Sequence, residues 1–459
     1  MVLAPPALAA GVESAVAELD GAHLSLLWGI PFAGLLLSIA LVPLVSARFW
    51  HRHYGKFALF WSLALLVPLA ARSGAGEAWH YVVHAIVLEY VPFVVILFAL
   101  YTIAGGICVH GHVAGTPGRN TALLALGAAL ASLMGTTGAS MLLIRPLLAG
   151  NDGREHRVHA VVFFILLVGN VGGALSPLGD PPLFIGYLKG VEFFWTTRAL
   201  ALPTVLLCGA LLAAFYVLDA WYARREPAPI ETAHGPIRLE GARNLLLLAG
   251  VVGAVLMSGM WKPGIAFDVS GTPVTLPGLI RDLLLAGLAL LSLAITPRAV
   301  REHNVFHWEP IVEVAKLFAG IFITIIPVIA MLQAGADGPL SAVVALVAAP
   351  DGTPRNTMYF WATGFLSAFL DNAPTYLVFY NLAGGNAPAL MGPLAATLMA
   401  ISMGAVYFGA LTYIGNAPNF MIKAIAEDRG VAMPSFFGYF AYAAMLMVPL
   451  LAVVALLAF

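Results

Sequence analysis

Residues 173–184 read GALSPLGDPPLF and lie inside one of the most apolar parts of the chain. Three prolines and two glycines cannot sustain an uninterrupted helical ladder there. Asp180 adds a carboxylate that costs free energy in an apolar setting unless something pairs with it. The stretch therefore predicts a deliberate helix break carrying a charge.

The surroundings say what kind of protein tolerates such a break. The chain has 459 residues, 61% of them hydrophobic and only 10% charged. A soluble domain is about a quarter charged. So apolar a chain needs lipid to cover it, which predicts an all-α polytopic membrane protein. Net charge is −1, so nothing points to nucleic acid. Cys108 and Cys208 sit in apolar segments and read as small hydrophobic filler rather than as a disulfide or metal ligands. The first residues, with Glu13, Glu18 and Asp20, lack the basic start of a signal peptide and read as a short extramembrane segment, 1–23.

Apolar runs long enough to span a bilayer fall at 24–47, 57–71, 82–109, 158–188, 199–222, 244–260, 278–296, 311–333, 391–426 and 436–459. The second is short. Segments 121–149 and 357–384 are interrupted by small or polar residues and read as re-entrant hairpins, which are allowed only where protein or a wet cavity satisfies the backbone. Lysine and arginine concentrate in RFWHRHYGK (48–56), in 223–243 and in 297–309, so those stretches are expected to be cytoplasmic loops, with the N-terminus outside. The linker 223–243 divides the chain into 24–222 and 244–459. Each part has five spans and one hairpin. An odd number of spans reverses the second part, the condition for an inverted-topology repeat.

The sequence supports duplication. ALSPLGDPPLF (174–184) and ALTYIGNAPNF (410–420) are identical at five of eleven positions, with Asp180 opposite Asn416. GASMLLI (138–144) aligns less clearly with NAPTYLV (372–378). LEYVPFVVILF (88–98) aligns with VEVAKLFAGIF (312–322) and sets Glu89 opposite Glu313. Three matches in the same order favour a repeat.

A repeat of this kind gives the break a purpose. Interrupted helices expose carbonyls to a cation and half-helix N-termini to an anion at mid-membrane. The first part offers Thr136, Thr137, Ser140, Asn170, Ser176 and Asp180; the second offers Asp371, Asn372, Thr375, Thr412, Asn416 and Asn419. These are hard oxygen donors suited to an ion such as Na⁺. A mid-membrane aspartate costs roughly 2.5–3.5 kcal/mol on insertion scales, which points to Asp180 and Asp371 as ion ligands with the hairpin-tip oxygens. One carboxylate can carry H⁺ or Na⁺ but not both, the minimum for antiport. The alternative is that each aspartate only caps a half-helix. Glu89, Glu313, Lys316 and Arg145 are the other charges in apolar segments. Glu313 and Lys316 are spaced to neutralise each other, the glutamates could instead relay protons, and Arg145 could pair with a carboxylate. His110, His112, His156 and His159 read as solvated loop histidines. Trp195, Trp221 and Trp308 read as interfacial anchors. No Walker A loop or catalytic triad is visible, so an ion gradient is the expected energy source and no resident cofactor is expected.

Four stretches resemble the NhaD-type sodium/proton antiporters: GTTGASMLLIRP (135–146), NVGGALSPLGDPP (170–182), LDNAPTYLVF (370–379) and YIGNAPNFMIKAIAE (413–427). That family belongs to the ion transporter superfamily, together with citrate and dicarboxylate symporters and arsenite permeases. The resemblance implies two inverted repeats, a homodimer in a bacterial inner membrane, and a transport domain that moves as an elevator. It carries the same hairpin-tip and broken-helix residues into an ion site for Na⁺ or Li⁺. The dicarboxylate members have Ser-Asn-Thr at their hairpin tips. This chain has Thr-Thr-Gly and Asp-Asn-Ala there, and the charge of Asp371 would repel a polycarboxylate. A Na⁺-coupled citrate or dicarboxylate symporter and an arsenite permease are the alternatives.

Overall fold

The computed structural model describes residues 2–3, 19–110, 115–226, 238–349 and 351–459. Glu13, Glu18, His112 and the middle of the expected linker lie outside them. Helices dominate. Among the described residues, eight are long and apolar enough to cross a membrane, or nine when Glu309–Thr324 and Ile326–Gln333, bent by 43°, count as one span. The protein is an all-α polytopic membrane protein.

The helices that position the site are α1 (Ile30–Val45), α2 (Ala47–Ser73), α3 (Ala75–His84), α4 (Val91–Ala104), α5 (Pro117–Met134), α6 (Thr136–Gly150), α7 (Val158–Leu167), α8 (Pro181–Leu188), α9 (Phe193–Ala223), α10 (Arg243–Met260), α11 (Leu276–Ile295), α12 (Arg298–His303), α13 (Glu309–Thr324), α14 (Ile326–Gln333), α15 (Ser341–Val347), α16 (Asn356–Leu370), α17 (Asn372–Leu382), α18 (Ala387–Met391), α19 (Ala395–Phe408), α20 (Ala417–Asp428) and α21 (Phe436–Ala458). A π-helical turn, Ala85–Tyr90, joins α3 to α4. Pro92 has no N–H to offer the carbonyl of Leu88, which favours the wider turn there.

The basic stretch 48–56 is not a loop. It forms the first turns of α2, because it has no proline, its one glycine, Gly55, is carried within the helix, and Ser46 caps it by accepting from the Phe49 N–H. The second span is accordingly long, not short. Contacts define two faces. The near face gathers 48–52, 105–110, 115, 151–157, 224–226, 238–243 and 298–309. Strand Cys108–His110 pairs with Arg238–Glu240 there, and Arg301 donates to the Thr102 carbonyl. The far face carries the hairpin Ala266–Val269/Thr272–Thr275, whose Ser270 carbonyl contacts His80. The hairpin α5–α6 has its open end at the near face; α16–α17, whose Tyr380 bonds Lys189, has its open end at the far face.

The base of α5–α6 is clasped by buried polar groups. Asn120 and Asn151 exchange amide hydrogen bonds, both 3.0 Å. Arg154 pairs with Asp219 at 2.5 Å and with Glu226 at 2.9 Å. His159 is buried and lies 2.8 Å from Asp219, and His156 reaches Glu226. His159 is therefore not a solvated loop histidine, whereas His156 is exposed in the loop before α7. Trp195 is likewise buried rather than interfacial, whereas Trp221 and Trp308 are exposed. Removing one partner of a buried pair strands the other charge. Arg154→Met is expected to cost about 3–5 kcal/mol, read as a lower unfolding temperature of the purified protein. Burial pushes the Glu226 carboxyl up, but the bonds from Arg154 and His156 outweigh it and hold Glu226 below its ordinary value. A lowered folded-state value means the contribution is present above the ordinary glutamate range and is lost as pH falls from that range through the lowered value.

Candidate functional site

Two crossings meet at the middle of the molecule. In each, a hairpin tip touches the break of a discontinuous span. The tip between α5 and α6 is Gly135, with φ 81° and ψ 149°. The tip between α16 and α17 is Asp371, with φ 81° and ψ 142°. Glycine adopts that backbone freely, and aspartate does not. The breaks match as well. The α8 span is interrupted over Val171–Leu175 and resumes after Asp180; the α20 span is interrupted over Gly409–Leu411 and resumes after Asn416.

The same bonds hold each tip to its break. Ser176 donates its hydroxyl to the Ser132 carbonyl, and Thr412 donates its own to the Ala368 carbonyl. Within each break the backbone folds on itself: a Cβ on Gly179 would collide with the Gly173 carbonyl, and one on Gly415 with that of Gly409. Gly135 and Asp371, Ser132 and Ala368, Ser176 and Thr412, and Asp180 and Asn416 are all separated by 236 positions. The hairpin register from sequence, which set Gly138 opposite Asn372, is thus shifted by two residues. The backbone turn fixes the register, and few side chains are shared there.

Asp180 is buried at the junction. It accepts from the Thr136 hydroxyl (3.2 Å) and Asn416 Nδ2 (2.9 Å) on Oδ1, and from Asn372 Nδ2 (2.6 Å) on Oδ2. All three donors are neutral. Asn416 also reaches Asn170 Oδ1, and Asn170 donates to Asn419 Oδ1 at 2.7 Å. Asn419 in turn donates to the Gly409 and Thr412 carbonyls. The amides thus tie the two breaks into one network with Asp180 at its charged end.

Asp371 differs. Its carboxylate accepts the Ala373 N–H at 3.1 Å, as a helix cap does; no other side chain donates to it among the described residues. Thr375 donates to its carbonyl and supports the tip. Asn372 Oδ1 is buried without a protein partner among the described residues.

A cavity of about 110 Å³ lies against Thr136, Thr137, Asp180, Asp371, Asn372 and Asn416. No lysine or arginine lines it among the described residues. It has room for an ion and a few waters. A larger cavity of about 490 Å³ shares Asp371, Asn416 and Met421 with it and leads to the near face past Arg145, His51, Glu309 and Glu313. The site therefore faces the near side.

The sequence-predicted residues separate accordingly. Thr136, Thr137, Asp180, Asp371, Asn372 and Asn416 come together at the cavity. Asn170 and Asn419 brace it. Ser176, Thr412 and Thr375 hold the backbone. Ser140 is buried but does not line the cavity. Glu313 and Lys316 do not pair: Glu313 accepts from Trp50 Nε1 at 2.8 Å, and Lys316 lies over the Tyr54 ring. Arg145 donates to the Asn304 amide oxygen at 3.0 Å, not to a carboxylate. Glu89 pairs with Lys189 at 2.5 Å. Lys189 and the vestibule pair Trp50 and His51 escaped the sequence reading. A lone lysine ending an apolar run was the available signal for the first.

The profile of a family described as putative citrate transport matches residues 21–459. The chain belongs to the putative citrate transport family. This citrate-transport-family protein is thereby a member of the citrate permease-like ion transporter superfamily, an integral multi-pass membrane protein and a transporter. No curated protein matches the chain.

Proposed function

We propose that this transporter exchanges Na⁺ (or Li⁺) for H⁺, as the NhaD-type antiporters do. The carrying observation is a small cavity that, among the described residues, holds two aspartates, an unpartnered amide oxygen and no basic side chain. Such a set attracts a small cation and repels an anion. Asp180, held by three neutral donors, supplies the standing negative charge. Asp371, facing both cavities and held among the described residues by backbone N–H groups at the start of α17, is the group that trades a proton for the cation. The matched tips and breaks support two inverted repeats, 24–222 and 244–459; a homodimer with an elevator-like cycle is what the resemblance to the NhaD-type antiporters implies. The arginine-rich near face supports a cytoplasmic location for it and an external N-terminus.

Everted vesicles carrying a preformed pH gradient test this. Added Na⁺ is expected to dissipate the gradient, and absence of a response from neutral to alkaline pH contradicts it.

A second reading, Na⁺-coupled symport of citrate or a dicarboxylate, is supported by Arg145 and Arg429 in the vestibule wall and by the family's description. Na⁺-dependent uptake of labelled citrate or succinate would favour it over antiport; resistance assays address arsenite.

A further inference from the structure

The helix α8 links the site to the far side of the molecule. It starts directly after Asp180 and ends at Leu188, about 12 Å along its axis at 1.5 Å per residue over its 8 residues. Its far end is held by α17, whose Tyr380 donates to the Lys189 carbonyl, and is also tethered to two elements that take no part in the crossings. Lys189 Nζ reaches Glu89 in the π-helical turn at 2.5 Å, with both side chains mostly shielded from solvent. Tyr187 donates to the Val255 carbonyl at 2.7 Å and lies 2.8 Å from the Ser258 hydroxyl, both on α10. The cavity path from Asp371 leads the other way, past His51 and Glu309. A movement of α8 that opened Asp180 to the far side would carry its far end off Glu89 and α10.

We infer that Glu89, Lys189 and Tyr187 form a latch that holds the carrier open to the near face. They are positioning residues, acting on Asp180 through α8. This builds on the chain being a transporter and not on which solute it carries. A π turn often marks a functional position, and here it places the carboxylate at Lys189. An ion pair suits a latch because it can break and re-form without repacking an apolar surface.

The test places a single reporter, Thr137→Cys, in a Cys108→Ser, Cys208→Ser background of the full chain. A membrane-impermeant charged thiol reagent is applied to right-side-out and inside-out vesicles. With the latch intact, labelling is expected from the near face. Glu89→Gln or Lys189→Met is expected to raise far-face labelling several-fold and lower near-face labelling. The reversed pair, Glu89→Lys with Lys189→Glu, is expected to restore the original sidedness. Tyr187→Phe, which keeps the ring, should shift sidedness in the same direction and serves where a charge variant fails to assemble. Unchanged sidedness in these variants overturns the latch. Shifted sidedness, together with a parent chain that shows no Na⁺ response, would uphold the latch while sinking the antiport reading.

Discussion

Asp180→Asn is expected to abolish exchange while leaving the helices assembled. Asp180 receives Thr136, Asn416 and Asn372, all as donors. An amide of the same size turns an NH₂ toward one of them and removes the carboxylate charge from the junction. The neighbours lose a hydrogen-bond acceptor, a cost of about 1–3 kcal/mol where a donor stays unsatisfied. In the proposed exchange the cation loses the carboxylate that Asn372 and Asn416 hold at the cavity. The cleanest readout is linkage. A cation that binds only the folded protein stabilises it, by about 2.7 kcal/mol at a hundred times its Kd. The parent protein should show a Na⁺-dependent rise in unfolding temperature. Asp180→Asn should show none. A variant that keeps both the thermal response and the exchange would remove Asp180 from the site.

Asp371→Gly is expected to separate stability from function. Aspartate at φ 81°, ψ 142° occupies backbone space that is essentially reserved for glycine, at a cost of about 1–3 kcal/mol. The matching tip uses Gly135 in the same conformation. Glycine at a helix N-cap gives up only a few tenths of a kcal/mol, and its extra freedom in the unfolded chain removes about 0.5–1. The net change should be a gain of about 1 kcal/mol in stability. Exchange should nevertheless be lost, because the exchangeable carboxylate is gone. Retained exchange in this variant would reduce Asp371 to a strained helix cap.

The two crossings were legible because their causes are local. Prolines, glycines and a charge inside an apolar run announce a break wherever they occur, and ALSPLGDPPLF and ALTYIGNAPNF share enough of them to be matched. The hairpin register was not legible. It is set by one residue on each side adopting the same positive φ, once with glycine and once with aspartate, and nothing in the letters equates those two. The helical character of 48–56 was hidden by its charges, which suggested a loop although the stretch has no proline and only one glycine, Gly55. The clasp at Arg154 and His159 was hidden differently. His159 meets its partner Asp219 across 60 positions, and Trp50 meets Glu313 across 263. Such pairs follow from how the spans pack. Glu89 drew notice as a charge in an apolar run, but its partner Lys189 stands 100 positions away.

The central claim is that one set of carboxylates holds either a proton or a sodium ion. Calorimetric titration of the purified protein with Na⁺, repeated in buffers of different ionisation heat, counts the protons released as the ion binds. The account predicts saturable Na⁺ binding accompanied by proton release, with the release lost in Asp371→Gly. Na⁺ binding without proton release, or binding of citrate in the absence of any Na⁺ response, would contradict it.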